Sequence, residues 1–173
     1  MEASDTKGGA VTTEVPAQVE DDLGAFAERH RAKLLRLALG LCRDPDAAED
    51  LVQDTLLRLV TRWPMVRSAR SPWAYVRQTM VRVFLSRPNP HHRSLPLIDD
   101  VVDHRDAFGE VDELDAAVRR LHQLAPRARA VLTLRYIECL DDAAIADALG
   151  TSRVAVRVTA HRALRVLKID EGT

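Results

Sequence analysis

At 173 residues and 19.3 kDa, with 46% hydrophobic and 29% charged residues, the chain has the composition of one globular domain or two small ones. No run approaches the roughly 18 apolar residues of a membrane span, and MEASDTKGG lacks the basic and apolar regions of a secretory signal. A cytoplasmic protein without membrane contact is expected. A net charge of −1 argues at first against nucleic acid, but the charges are sorted into blocks along the chain.

Aromatic residues make up only 4% of the chain, so a core must be built from Leu, Val and Ala. Such side chains suit helix packing better than a sheet sandwich, and the expected fold class is all-α. Cys42 and Cys139 offer neither a disulfide framework nor a metal spacing. Both lie in apolar helical patterns and are expected as small buried hydrophobes. Neither a metal nor a cofactor is expected.

Residues 1–21 are acidic, aperiodic and expected to be a disordered tail. From Asp22 to Cys42, apolar residues recur at three and four (Leu23, Phe26, Leu34, Leu37, Leu41), which predicts a first helix. Asp44-Pro45-Asp46 supplies a cap, a proline for the first helical position and acids for the first turn. The second helix carries Leu51, Val52, Leu56, Leu59 and Trp63 on one stripe and ends before Pro64. Its outer face is Asp50, Gln53, Asp54 and Leu57, a leucine in an acidic row that is poor for solubility and good as an anchor for a protein partner. Periodicity alone equally allows Leu57 to meet the first helix.

Ser71-Pro72 starts a third helix that stops near Arg87, with Arg77, Gln78 and Arg82 on one side. The stretch from Val66 to Arg87 holds Arg67, Arg70, Arg77, Arg82 and Arg87 and no acid. Residues 88–110 contain three prolines and clustered acids and read as a linker. A helix from Val111 to Leu124, another opened by Pro126, a short one capped at Asp141-Asp142 and ended by Gly150, and a last one capped by Ser152 and running to Leu167 complete the chain. The predicted organisation is a helical domain over 22–87, the linker, a second helical domain over 111–168 and a tail at 169–173.

The last two helices, joined by Thr151-Ser152-Arg153, have the helix-turn-helix pattern. If Ala144 or Ile145, with Ala148 and Leu149, meets Val156, Ala160, Ala163, Leu164 and Leu167, the opposite face shows Val154, Val158, His161 and Arg165, with Arg157 on its flank. Arg153 and Arg157 at a capped N-terminus can enter a major groove and read guanine edges, while Arg162, Arg165 and Lys168 suit phosphates. No acid interrupts Thr151 to Lys168. Two basic blocks separated by an acidic one suggest two places where a polyanion is held.

Three segments then look familiar. Ala47–Trp63 (AAEDLVQDTLLRLVTRW) resembles region 2.2 of sigma-70-type transcription initiation factors, Ser71–Arg87 (SPWAYVRQTMVRVFLSR) resembles the 2.3–2.4 segment, and Leu121–Lys168 resembles region 4. Two helical domains and a linker are similar to the extracytoplasmic-function group, with wording like that of its actinobacterial members. The resemblance implies that Asp50, Gln53, Asp54 and Leu57 bind the clamp helices of the largest subunit of core RNA polymerase, and that region 4 meets the flap region. It further implies that Arg77, Gln78 and Arg82 hold the −10 element of promoter DNA. On the −35 element it implies Ser152, Arg153, Arg157, Val158, His161, Arg162 and Arg165. The linker would thread the polymerase channel, and an anti-sigma factor is a partner the group admits. Position 82 is Arg where the family commonly has Asn, and the aromatic run after Leu85 is replaced by Ser86-Arg87-Pro88.

The competing class is a stand-alone helix-turn-helix regulator, in which 22–87 serve only dimerisation and the Asp50–Leu57 face is idle. An enzymatic reading would rest on His91, His92 and His104, which lack metal-site spacing and lie in the linker. No phosphate loop or nucleophile motif is present, and neither enzymatic activity nor a small-molecule substrate is expected.

Overall fold

The computed structural model describes residues 22–42, 44–87 and 119–169, and every element among them is a helix. The acidic tail, the linker with its three histidines, Arg43, the first part of the Val111–Leu124 helix and residues 170–173 lie outside the described residues.

The N-terminal half comprises α1 (Leu23–Arg29), α2 (Arg31–Leu41), α3 (Pro45–Val60), α4 (Trp63–Arg67) and α5 (Pro72–Ser86). The caps read from the sequence are formed: the Asp44 carboxylate accepts from the Ala47 amide at 2.8 Å and the Ser71 hydroxyl from the Ala74 amide at 3.3 Å, each ahead of a proline in the first turn. The single first helix expected over 22–42 is bent into α1 and α2 at His30, whose backbone leaves helical geometry at φ −103° and ψ 9°. At this break the Phe26 carbonyl is shared, accepting from the His30 amide at 3.0 Å and lying 2.9 Å from His30 Nδ1. Pro64 also behaves differently from expectation. α3 stops at Val60, and Trp63-Pro64 opens the short α4, where proline lacks only an amide that would have no partner anyway.

In the C-terminal half, residues 119–123 are helical (α6), followed by α7 (Pro126–Tyr136), α8 (Asp142–Leu149) and α9 (Arg153–Ile169). Asp141 caps α8 through the Ala144 amide at 2.8 Å, and the Ser152 hydroxyl caps α9 by accepting from Ala155 at 3.1 Å. Gly150 ends α8 in the left-handed region at φ +60°. A Cβ there would meet nothing within 4 Å, so Gly150→Ala carries a conformational cost alone. That substitution is expected to lower stability by about 1 kcal/mol, measured by urea unfolding.

α3 packs on α2 and α5, α7 lies between α2 and α9, and α8 touches both α9 and α5. Leu34, Leu37, Leu41, Leu51, Leu59, Val76 and Met80 on one side and Ala130, Leu132, Leu134, Ile145, Val156 and Ala160 on the other form one contiguous apolar core. The two halves are therefore not only tethered; they share an interior.

Cys42 is buried as expected, and burial pushes its thiol above the usual value. Cys139 is not. It follows the end of α7 with φ +53° and is exposed, because the chain turns there towards α8 and the apolar run around it does not continue as helix.

Candidate nucleic-acid interface

The outer face of α3 forms as the periodicity predicts. Leu51, Thr55 and Leu59 are sealed inside, whereas Asp50, Gln53 and Asp54 are exposed. Leu57 is 69% exposed and does not meet the first helix. Val60, three residues on from Leu57 in α3, and Met65 of α4 are also more than half exposed, which the sequence reading missed. Asp54 pairs with Arg87 at 2.8 Å, and Arg87 also donates to the Ala47 carbonyl at 3.2 Å, tying the end of α5 to the start of α3.

The start of α5 rests on a small aromatic stack. Phe26 and His30 stack at 4.2 Å, His30 and Trp73 at 5.8 Å, and Lys33 Nζ sits 4.2 Å over the Trp73 ring. Arg82, one turn beyond, is exposed, but Arg77 and Gln78 are half-buried against the C-terminal half. Arg77 Nη1 lies 3.4 Å from Glu138 Oε2, which also accepts from Trp73 Nε1 at 2.8 Å, and Gln78 Nε2 donates to the Asp147 carbonyl at 3.0 Å. The residues expected at the −10 element thus lie on one helix but do not present one open face.

The helix-turn-helix forms through the contacts expected of it. Ile145 and Ala148 of α8 are buried with Val156, Ala160 and Ala163 of α9, and Leu149, Leu164 and Leu167 close the edges. The opposite side of α9 is open: Ser152, Arg153, Val154, Arg157, Val158, His161, Arg162 and Arg165 are all exposed. The Ser152 hydroxyl oxygen already accepts a bond as the cap of α9. A residue the sequence reading used only as a cap proves to be an anchor. Asp142 pairs with Arg135 of α7 and lies 3.7 Å from Arg157 Nε, so one carboxylate links three helices and leans on an arginine of the exposed face. Among the described residues no group of His, Cys, Asp and Glu could hold a metal ion, and no helix is long and apolar enough to cross a membrane.

Residues 26–88 match the family model for sigma-70 region 2, and residues 114–167 match that for sigma-70 region 4. The chain belongs to the sigma-70 family of RNA polymerase sigma factors. Its relatives place it in the extracytoplasmic-function group. It is 33% identical over 152 residues to the RNA polymerase sigma-E factor of Streptomyces coelicolor, covering 83% of this chain and 82% of that one. It is 31% identical over 159 residues to the ECF RNA polymerase sigma factor SigL of Mycobacterium tuberculosis, covering 84% and 86%. Among solved structures, the sigma factor RpoE of Bartonella quintana, in complex with the anti-sigma factor NepR, shares the fold with a TM-score of 0.60 at 23% identity, over 83% of this chain and 94% of that one. The M. tuberculosis sigma factor SigJ superposes with a TM-score of 0.57 at 27% identity, over 84% of this chain and 53% of that one. With region 2 and region 4 both matched in order, a stand-alone helix-turn-helix regulator is not favoured. The sigma factor directs transcription initiation.

Proposed function

We propose that this sigma factor works as a cytoplasmic promoter-specificity subunit with no chemistry of its own, dividing its tasks among three surfaces. Asp50, Gln53, Asp54 and Leu57 on α3 bind the clamp helices of the polymerase largest subunit. The observation that carries this assignment is the exposure of Leu57 inside an acidic row, since a large apolar side chain held out among carboxylates suits a basic, apolar-pocketed partner. An anti-sigma factor that covered Leu57, Val60 and Met65 would compete for the same ground.

Arg77, Gln78 and Arg82 on α5 hold the −10 element, and the open side of α9 enters the −35 major groove. There Arg153 and Arg157, one turn apart at a capped N-terminus, reach base edges, and Arg162 and Arg165 contact phosphates. Region 4 also meets the polymerase flap. Few cations serve each DNA element, so the free chain binds promoter DNA weakly and specificity emerges in the holoenzyme.

The −35 assignment is tested by selecting promoters from a library randomised at that element, using holoenzyme made with wild-type or Arg157→Ala protein. The variant is expected to lose about 1–3 kcal/mol of discrimination at one base pair while binding core polymerase normally. Equal loss on every sequence would show that Arg157 touches only phosphate.

A further inference from the structure

α9 carries an apolar pair that neither the core nor the contacts assigned to its arginines account for. Val154 is 63% exposed and Val158 44% exposed, one helical turn apart on the open side, whereas Val156 between them is sealed in the core with Ala160. Single exposed apolar residues are ordinary, but these two stand in register with each other. Both are β-branched, which slightly disfavours helix, and at this exposure they return little buried area within the chain.

Their surroundings select what covers them. Arg153, Arg157, Arg162 and Arg165 are exposed on the same helix, and no acid occurs from Thr151 to Lys168. The occupant is therefore a polyanion that also presents apolar groups. The major groove of DNA offers one such group, the C5-methyl of thymine, among base edges that otherwise donate or accept hydrogen bonds. Arg157, which lies between the valines in sequence, is drawn aside. Its Nε is 3.7 Å from Asp142 Oδ2, and Asp142 is anchored in turn by Arg135 of α7. That tie pulls the guanidinium toward the start of α8 rather than over the valine methyls.

We propose that Val154 and Val158 are specificity-determining residues for the −35 element, each packing on the C5-methyl of a thymine. The inference rests on the assignment of α9 to the −35 major groove and adds which base its apolar side requires. Four residues of helix rise about 6 Å, against 3.4 Å per base pair, so the two thymines lie within about two base-pair steps of each other, on either strand. Cytosine at these positions lacks the methyl and presents an amino donor that valine cannot satisfy. Uracil keeps the hydrogen-bonding edges of thymine and loses only the methyl, so it isolates the contact.

The test uses holoenzyme assembled from core polymerase and the full-length chain, on a promoter duplex selected from the library randomised at the −35 element. Each −35 thymine, on either strand, is replaced in turn by deoxyuridine, and binding is measured. Two positions are expected to lose about four-fold with wild-type protein, the worth of one buried methyl group. Val154→Ala is expected to erase the loss at one position and Val158→Ala at the other. Both sites are exposed and alanine is the better helix former, so these variants keep the fold. Selected −35 sequences without thymine, wild-type indifference to deoxyuridine at every thymine, or a loss that persists in both alanine variants overturns the proposal. Alanine variants that bind core polymerase weakly yet keep the deoxyuridine loss would assign the valines to a protein contact and overturn it as well. Scrambling the whole −35 element separates this proposal from the reading beneath it. Unchanged binding after scrambling means that the assignment of α9 itself fails. Binding that falls on scrambling but not on deoxyuridine substitution leaves that assignment standing and removes only the valines.

Discussion

Replacing both Asp50 and Asp54 with lysine is expected to weaken binding to core RNA polymerase by more than about 100-fold, since each reversal sets like charges against the partner at a cost of several kcal/mol. The fold should survive. Both carboxylates are exposed on α3, and the pair of Asp54 with Arg87 is half-exposed and worth at most about 1 kcal/mol. Co-purification with core polymerase reads the first effect and urea unfolding the second. Retained binding by the double variant would remove α3 from the polymerase interface, whereas loss of fold together with binding would leave Leu57→Ser as the cleaner probe.

A second large effect is expected at Arg129. This side chain is buried, and its guanidinium serves three carbonyls at once: Leu41 at 2.8 Å, His122 at 3.1 Å and Leu124 at 3.0 Å. It thereby joins the end of α2, the end of α6 and the start of α7. Arg129→Met keeps most of the aliphatic volume but strands those acceptors, each costing about 1–3 kcal/mol if water cannot reach it. A loss of about 3–5 kcal/mol is expected, corresponding to a fall in Tm of about 10 °C. Arg129→Lys should fall between the two, because one ammonium on a flexible stem cannot span three acceptors as a planar fork does. Circular dichroism melts decide it. A change below about 1 kcal/mol would mean that other donors reach these carbonyls.

What could be read in the sequence was local. Asp44-Pro45, Ser71-Pro72, Asp141 and Ser152 act within four residues of themselves, and each cap sits where the chain announces it. The three-and-four spacing likewise separated Leu51 and Leu59 from Asp50 and Asp54, but left Leu57 undecided because its position depends on how α1 and α2 lie over α3. The break at His30 escaped because the apolar spacing runs on through it from Phe26 to Leu34. Cys139 escaped because an apolar neighbourhood says nothing about where a helix ends.

The contact between the two halves escaped for a different reason. Arg129, Thr133 and Glu138 find partners 61 to 93 residues away, beyond any periodic pattern. One signal was available in Gly40, a helix-weakening residue inside an apolar stretch where nothing local asks for it. Likewise Asp142 reads as a second capping acid beside Asp141, and only the packing of α7 against α9 reveals that it faces Arg135 and Arg157. The family resemblance pointed to three candidate surfaces; the structure adds that the one on α5 is partly covered by the half that carries α9.

The most direct measurement combines purified full-length chain with core RNA polymerase on fragmented genomic template and maps the transcripts made. Discrete start sites that vanish when the chain is left out, preceded by two recurring elements at a fixed spacing, are the predicted result. Unchanged transcription together with no binding of the chain to core polymerase would contradict the assignment of a promoter-specificity subunit.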